Sequence, residues 1–226
     1  MQIIKDIRLY KSDIENIDGN SLPSEFMTKE NNIVICRIVM KLREYGLVLG
    51  EFHHLYINFT VCVPPDTIQF SKRSIDPYYK WYRYVDFGVK EEDFNKLDTY
   101  SAEYFAEKVK TVLCEMFVKN DSDLENIKNC ITVTLRDKEN TCAKYKEKKS
   151  AKLTAVIYLR IDNNGYNFPL LVVTQNISGR EILRKDLPLT HTFHQYGTIQ
   201  LSNKRVQINP RKNSFSSDLK PTIFEF

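Results

Sequence analysis

Residues 51–63 read Glu-Phe-His-His-Leu-Tyr-Ile-Asn-Phe-Thr-Val-Cys-Val, and the fold turns on how this stretch is read. Leu55, Ile57, Phe59, Val61 and Val63 are apolar, while His54, Tyr56, Asn58, Thr60 and Cys62 alternate with them. A period of two with one wet face predicts a half-buried antiparallel strand. Pro64 and Pro65 end it. Before it, residues 2–10 place Ile3, Ile7 and Leu9 on one side and read as a strand, and residues 11–31 read as a polar loop. Residues 32–43 are β-branched and apolar on both faces, which predicts a central strand.

Beyond it, a loop through Asp76-Pro77 leads to a strand at 79–88 that ends at Gly88. Two helices follow. Over 101–118, with Ser101 as the cap, Phe105, Val109, Val112, Leu113, Met116 and Phe117 form a stripe at helical spacing. Over 122–149, Ser122 and Glu125 make a capping box, and the apolar repeat runs from Leu124 to Tyr145. The last third is β. Strands at 153–161 and 167–175 flank the turn Asn163-Asn164-Gly165, another follows at 180–186, and 197–202 pairs with 205–209 across Asn203-Lys204. The closing Ile223-Phe224-Glu225-Phe226 alternates as an edge strand would. Strands, two helices, then strands predict an α+β protein. Its sheet is expected to be mostly antiparallel, with two central helices and a C-terminal β meander of about five strands. Helix–strand alternation of the kind that builds parallel sheets is not seen. No Gly/Ser-rich linker interrupts residues 1–226, so a single domain is expected.

With 226 residues, 42% hydrophobic and 27% charged, the composition excludes disorder, collagen, coiled coil and a disulfide-stapled miniprotein. Net charge is +4 with a pI near 8.6, below what a dedicated nucleic-acid binder usually shows. Residues 91–107 lean acidic and residues 144–152 lean basic. Such runs usually face water. The five cysteines are odd in number, lack Cys-x-x-Cys spacing and sit in apolar or helical contexts, which predicts buried thiols in a reducing cytoplasm. Lys5, Asp6 and Arg8 break up the N-terminus, so no signal peptide is expected, and no apolar stretch approaches the ~20 residues of a bilayer span. The excess of Lys over Arg suggests an AT-rich, bacterial coding bias.

Catalytic motifs do not emerge. Gly-x-Ser-x-Gly, Walker A, Gly-x-Gly-x-x-Gly and His-Glu-x-x-His do not occur, and no cofactor is implied. Among the four histidines, a metal site of His54, His191 and His194 is the one combination to weigh. It would make the chain a metal-dependent hydrolase or nuclease. Scattered histidines more often satisfy local hydrogen bonds. The unusual stretch is Tyr78-Tyr-Lys-Trp-Tyr-Arg-Tyr-Val-Asp-Phe-Gly88, which holds the single Trp. On a strand, Tyr79, Trp81, Arg83, Val85 and Phe87 share one face, and Tyr78, Lys80, Tyr82, Tyr84 and Asp86 share the other. Core on one side and cover on the other is the plain reading. Tyr, Trp and Arg are also the residues that dominate protein–protein hot spots. Aromatics with interleaved cations suit single-stranded nucleic acid too, and with Arg211 and Lys212 they keep a nucleic-acid-binding regulator as an alternative.

The order of an N-terminal strand pair, Trp81-Tyr-Arg-Tyr-Val-Asp-Phe-Gly88, an amphipathic helix, a lysine-ending helix and a meander closing on Asn209-Pro-Arg-Lys-Asn213 resembles small bacterial immunity proteins of polymorphic or contact-dependent toxin systems. The resemblance implies a cytoplasmic protein that neutralises one cognate protein toxin by covering it, without catalysis, metal or cofactor. It departs from that family in charge. Immunity proteins against nuclease toxins are often acidic, and this chain is net basic. Tyr78, Trp81, Tyr82 and Arg83, flanked by Glu91, Glu92 and Asp93, are the expected interface.

Overall fold

The computed structural model describes residues 2–188, 196–212 and 219–226. They form two compact units, Met1–Lys138 and Glu139–Phe226. The α+β class holds, with antiparallel pairing predominant.

The first unit contains β1 (Asp6–Ser12), β2 (Ser24–Glu25), α1 (Lys29–Glu44), β3 (His54–Thr60), β4 (Ile68–Phe70), β5 (Tyr82–Gly88), α2 (Glu91–Phe94), α3 (Ala102–Phe117) and α4 (Asp121–Asp137). Its sheet runs β2-β1-β3-β5-β4. β3 pairs in parallel with both β1 and β5, whereas β2 and β4 are antiparallel edges. The strand read as antiparallel and half wet is therefore the parallel centre of the sheet, buried from Leu55 to Thr60. β1-α1-β3 is a parallel crossover that the sequence pattern concealed. Ile7, Leu9, Leu55, Ile57, Phe59, Val85 and Phe87 pack against apolar residues of α1, α3 and α4, so the helices cover one face.

Residues 32–43 are helical rather than a central strand. Ile35, Ile38, Val39 and Leu42 recur at helical spacing, and that period outweighs their β-branched character. Thr28 caps the helix by accepting the Asn31 amide at 3.2 Å. The helix predicted over 122–149 stops at Asp137, where Lys138 takes φ +49, and residues 143–149 form a strand. Its cap is Asn120, which accepts the Asp123 amide at 2.9 Å, in place of the expected Ser122. Ser101 precedes α3 but makes no capping bond. At the end of β5, a Cβ on Gly88 would lie 1.9 Å from the Pro64 carbonyl oxygen, so only glycine fits there.

The second unit contains β6 (Ala143–Lys149), β7 (Leu153–Leu159), β8 (Leu170–Gln175), β9 (Glu181–Asp186), β10 (Tyr196–Leu201), β11 (Arg205–Pro210) and β12 (Thr222–Glu225). The expected meander is two sheets, β6-β7-β8-β9 and β10-β11-β12, both antiparallel. Leu153, Ala155, Ile157, Leu171 and Val173 of the first pack with Tyr196, Ile199, Val206 and Ile208 of the second.

Candidate functional site

The face of the first sheet opposite the helices carries the chemistry. Strand register sets it in rows: Asp6, His54 and Tyr82, then Arg8, Tyr56 and Tyr84, then Tyr10, Asn58 and Asp86. Side chains two apart on a strand share a face, so the polar half of the alternation in β3 lands here. Tyr10, Tyr56 and Tyr84 have ring centroids 5.3 to 5.6 Å apart and bury one another. Tyr82 stacks on Tyr56 at 4.8 Å. Trp81 meets Tyr82 at 5.0 Å and His54 at 4.6 Å, and His53 stands 4.5 Å from His54. Tyr79 extends the surface from Trp81. The tilted and edge-to-face pairs among these rings are the geometries that aromatic quadrupoles favour. The result is one continuous aromatic surface, graded from buried Tyr56 at 6% exposure to Trp81 at 37%.

Charge borders it on one side. Arg8 donates from Nε to Asp6 at 2.8 Å and from Nη1 to Glu25 at 3.3 Å, and its guanidinium lies 5.8 Å over the Tyr56 ring. The Tyr10 hydroxyl donates to Glu25 at 3.2 Å. Burial pushes the phenols of Tyr10, Tyr56, Tyr82 and Tyr84 up, Tyr84 to about 12. They remain neutral hydrogen-bonding groups at ordinary pH and do not supply phenolate. Burial also pushes His54 down to about 4, so its imidazole is neutral.

Near the other end of the face Asp86 is 5% exposed and accepts the Asn58 amide at 2.8 Å. Burial raises its carboxyl against the lowering effect of that bond. The two loops there are tied together by Arg73, which donates to Asn16 Oδ1 at 2.7 Å and to the Asn20 carbonyl at 2.9 Å, and by Asp18, which accepts the Ser74 amide at 3.1 Å.

The expected interface residues are spread over different surroundings. Trp81 and Tyr82 lie on the aromatic surface. Tyr78 is 88% exposed in the preceding loop. Arg83 points to the helix-covered face, its guanidinium 4.9 Å over Phe70. Glu91, Glu92 and Asp93 form α2, beyond the far end of β5. At about 3.3 Å per residue, a strand of this length holds the acidic and aromatic groups roughly 20 Å apart. Asp93 accepts the Tyr100 hydroxyl at 2.7 Å. Arg8, Tyr10, Glu25 and Tyr56 escape sequence reading, and Tyr84, although legible on the face of Tyr82, is not among the expected interface residues. The signal for Tyr56 was present in the alternation of β3, but it was read as a solvated face.

Among the described residues no three His, Cys, Asp or Glu side chains gather to hold a metal ion. His191 and His194, and so the combination with His54, lie outside the described residues. All five cysteines are free thiols. The expectation that all are buried fails: Cys130 is buried, while Cys36 and Cys62 are exposed. No helix among the described residues is long and apolar enough to cross a membrane. No family model matches the chain, and no curated protein or solved structure matches it.

Proposed function

We propose that this chain acts by occupying the surface of another protein, as an immunity protein that neutralises a cognate bacterial toxin without catalysis. The observation that carries the binding part is the aromatic surface on the helix-free side of the β1-β3-β5 sheet. It concentrates Tyr, Trp and Arg around a well-packed centre, as binding hot spots do. The toxin as partner, and the bacterial cytoplasm as the place of action, come from the resemblance in element order and from the Trp81–Gly88 stretch. Nucleic acid is the weaker partner for this face, because Asp6, Glu25 and Asp86 outnumber Arg8 among its charges. The aromatic strand and the basic Arg211-Lys212 pair belong to different units.

Co-expression with the toxin encoded by the neighbouring gene tests the reading. The intact chain is expected to protect the cell and to co-purify in a fixed ratio with that toxin. Trp81→Ala and Tyr82→Ala are expected to lose both while remaining folded. Failure of the intact chain to protect, or protection unchanged by both substitutions, overturns it.

A further inference from the structure

The sheet of the first unit has a gap beside β1. β2 pairs only with Tyr10 and Lys11, so from Asp6 to Leu9 strand β1 has β3 on one side and, among the described residues, no strand on the other. A cleft of about 340 Å³ fills that place. Its walls are β1 and the exposed residues Asn32 and Cys36 of α1, and Glu25 and Met27 line it as well. The Asp6 amide donates to the His53 carbonyl, so residues 6, 8 and 10 bond towards β3. Along a strand the bonding direction alternates, which turns the peptide groups of Ile7 and Leu9 towards the cleft. Sheet edges left in this state are templates for another strand, and chains commonly guard them with lysine. The edge strand β6 of the second unit is guarded in that way by the exposed Lys144, Lys148 and Lys149. No lysine stands in β1 between Asp6 and Leu9, and its one cation there, Arg8, is tied to Asp6 and Glu25.

We propose that this cleft takes an extended segment of a partner protein, which adds to β1 as a further strand. The chemistry of the walls states what the segment carries. Side chains directed to the helix side meet Met27 and the Cys36 thiol, with Asn32 as the polar group of that wall and Ile7 and Leu9 buried behind the strand, and are mainly apolar. Those directed to the open side meet Asp6 and Glu25 against the single cation Arg8, a net negative rim that selects lysine or arginine. Backbone bonds to Ile7 and Leu9 supply the register. The inference rests on the reading of the chain as a partner-binding protein and adds a second contact that shares Arg8 and Glu25 with the aromatic face.

The test uses the full-length chain, labelled with 15N, and a blocked six-residue peptide of alternating lysine and valine. At about 1 mM peptide, hydrogen exchange at the Ile7 and Leu9 amides is expected to slow by roughly tenfold or more, as newly bonded amides do. The Arg8 and Tyr10 amides, already directed to β3, should change little. A glutamate–valine peptide should have no such effect. Cys36→Trp, at an exposed position of α1, should abolish the slowing in a chain whose circular dichroism is unchanged, and Asn32→Trp replaces it if that variant does not fold. No slowing with the lysine–valine peptide, equal slowing with the glutamate–valine peptide, or slowing that survives in a folded blocked variant overturns the proposal. Slowing that grows with protein concentration and no peptide assigns the cleft to a second copy and also overturns it. Because these amides report only the β1 cleft, the aromatic-face reading stands or falls separately, on Trp81 and Tyr82.

Discussion

The two units solve the problem of an exposed sheet in opposite ways. In Glu139–Phe226, Lys and Arg number 14 against 7 Asp and Glu, and the outer strand β6 carries much of that excess. In Met1–Lys138 the same types number 19 against 22, and the helix-free sheet face is closed by tyrosines packed on one another. Lysine along an edge keeps strands apart, because an incoming strand would have to desolvate it. A tyrosine surface does the reverse, offering large, rigid, amphipathic area at little entropic cost. On the proposed reading, the first unit would carry recognition and the second would be a self-protected scaffold.

The largest effect tests whether the tyrosine face depends on the helices behind it. Phe59 is fully buried at the centre of the parallel strands, against Phe26, Phe87 and Phe105. Phe59→Ala should cost about 3–5 kcal/mol, read by urea unfolding followed through Trp81 fluorescence. A loss below about 1 kcal/mol would mean that this core does not hold the sheet. Next comes the contrast between the units in binding. Tyr82→Ala should weaken partner binding by about 2 kcal/mol or more, as hot-spot truncations do, while Lys148→Ala on β6 should stay within about 0.5 kcal/mol. Titration calorimetry against the co-purified partner separates the two. Equal losses would erase the division of labour.

How much of this was legible in the sequence differs between the units for a physical reason. The second unit alternates with period two and punctuates itself with turns such as Asp162–Gly165, and from β7 onwards its strands follow that pattern closely, whereas β6 reads as the end of a helix. In the first unit α1 is built from Ile and Val, whose strand preference hides the 3.6 period at Ile35, Ile38 and Leu42. Reading it as a strand also removed the crossover, and with it the parallel sheet. β3 misled in a different way. Tyr56, Asn58 and Thr60 look solvated, yet all are buried: Tyr10 and Tyr84 from β1 and β5 close over Tyr56, and Asn58 is bonded to Asp86. That closure comes from strands far apart in sequence and leaves no local trace. Trp81 and Tyr82 were legible because they are clustered in the chain, whereas their partners Tyr10 and Tyr56 are gathered only by register. The boundary at Lys138 is marked by a positive φ and by no linker composition.

A smaller effect sharpens the account of α1. Thr28→Ala removes the oxygen that accepts the Asn31 amide and should cost about 1 kcal/mol, measured by thermal unfolding. Thr28→Ser, which keeps that oxygen, should recover most of it. If serine and alanine behave alike, the cap does not stabilise the helix and the period of Ile35, Ile38 and Leu42 is sufficient alone.

The smallest expected effect concerns Asp86 and His54, two titrating groups on the tyrosine face that pull in opposite directions. Burial raises the Asp86 carboxyl, so its contribution to stability is fully present below its unfolded value, about 3.9, and is lost as pH rises through the folded value. Burial lowers His54 to about 4, so its contribution is present above its unfolded value, about 6.5, and is lost as pH falls towards 4. The wild-type curve between pH 4 and 7 mixes the two. Asp86→Asn separates them, because its difference from wild type leaves His54 unchanged, and the asparagine keeps an oxygen for the Asn58 amide. The variant should melt higher than wild type at pH 7, and the gain should shrink to nothing as pH approaches 4. A gain that is constant with pH would show that the carboxyl titrates alike in the folded and unfolded chain, so that packing rather than charge is at work. A loss at pH 7 would show that the ionised carboxylate is held by donors stronger than the Asn58 amide, and the face would then be electrostatically tuned rather than aromatic at its centre.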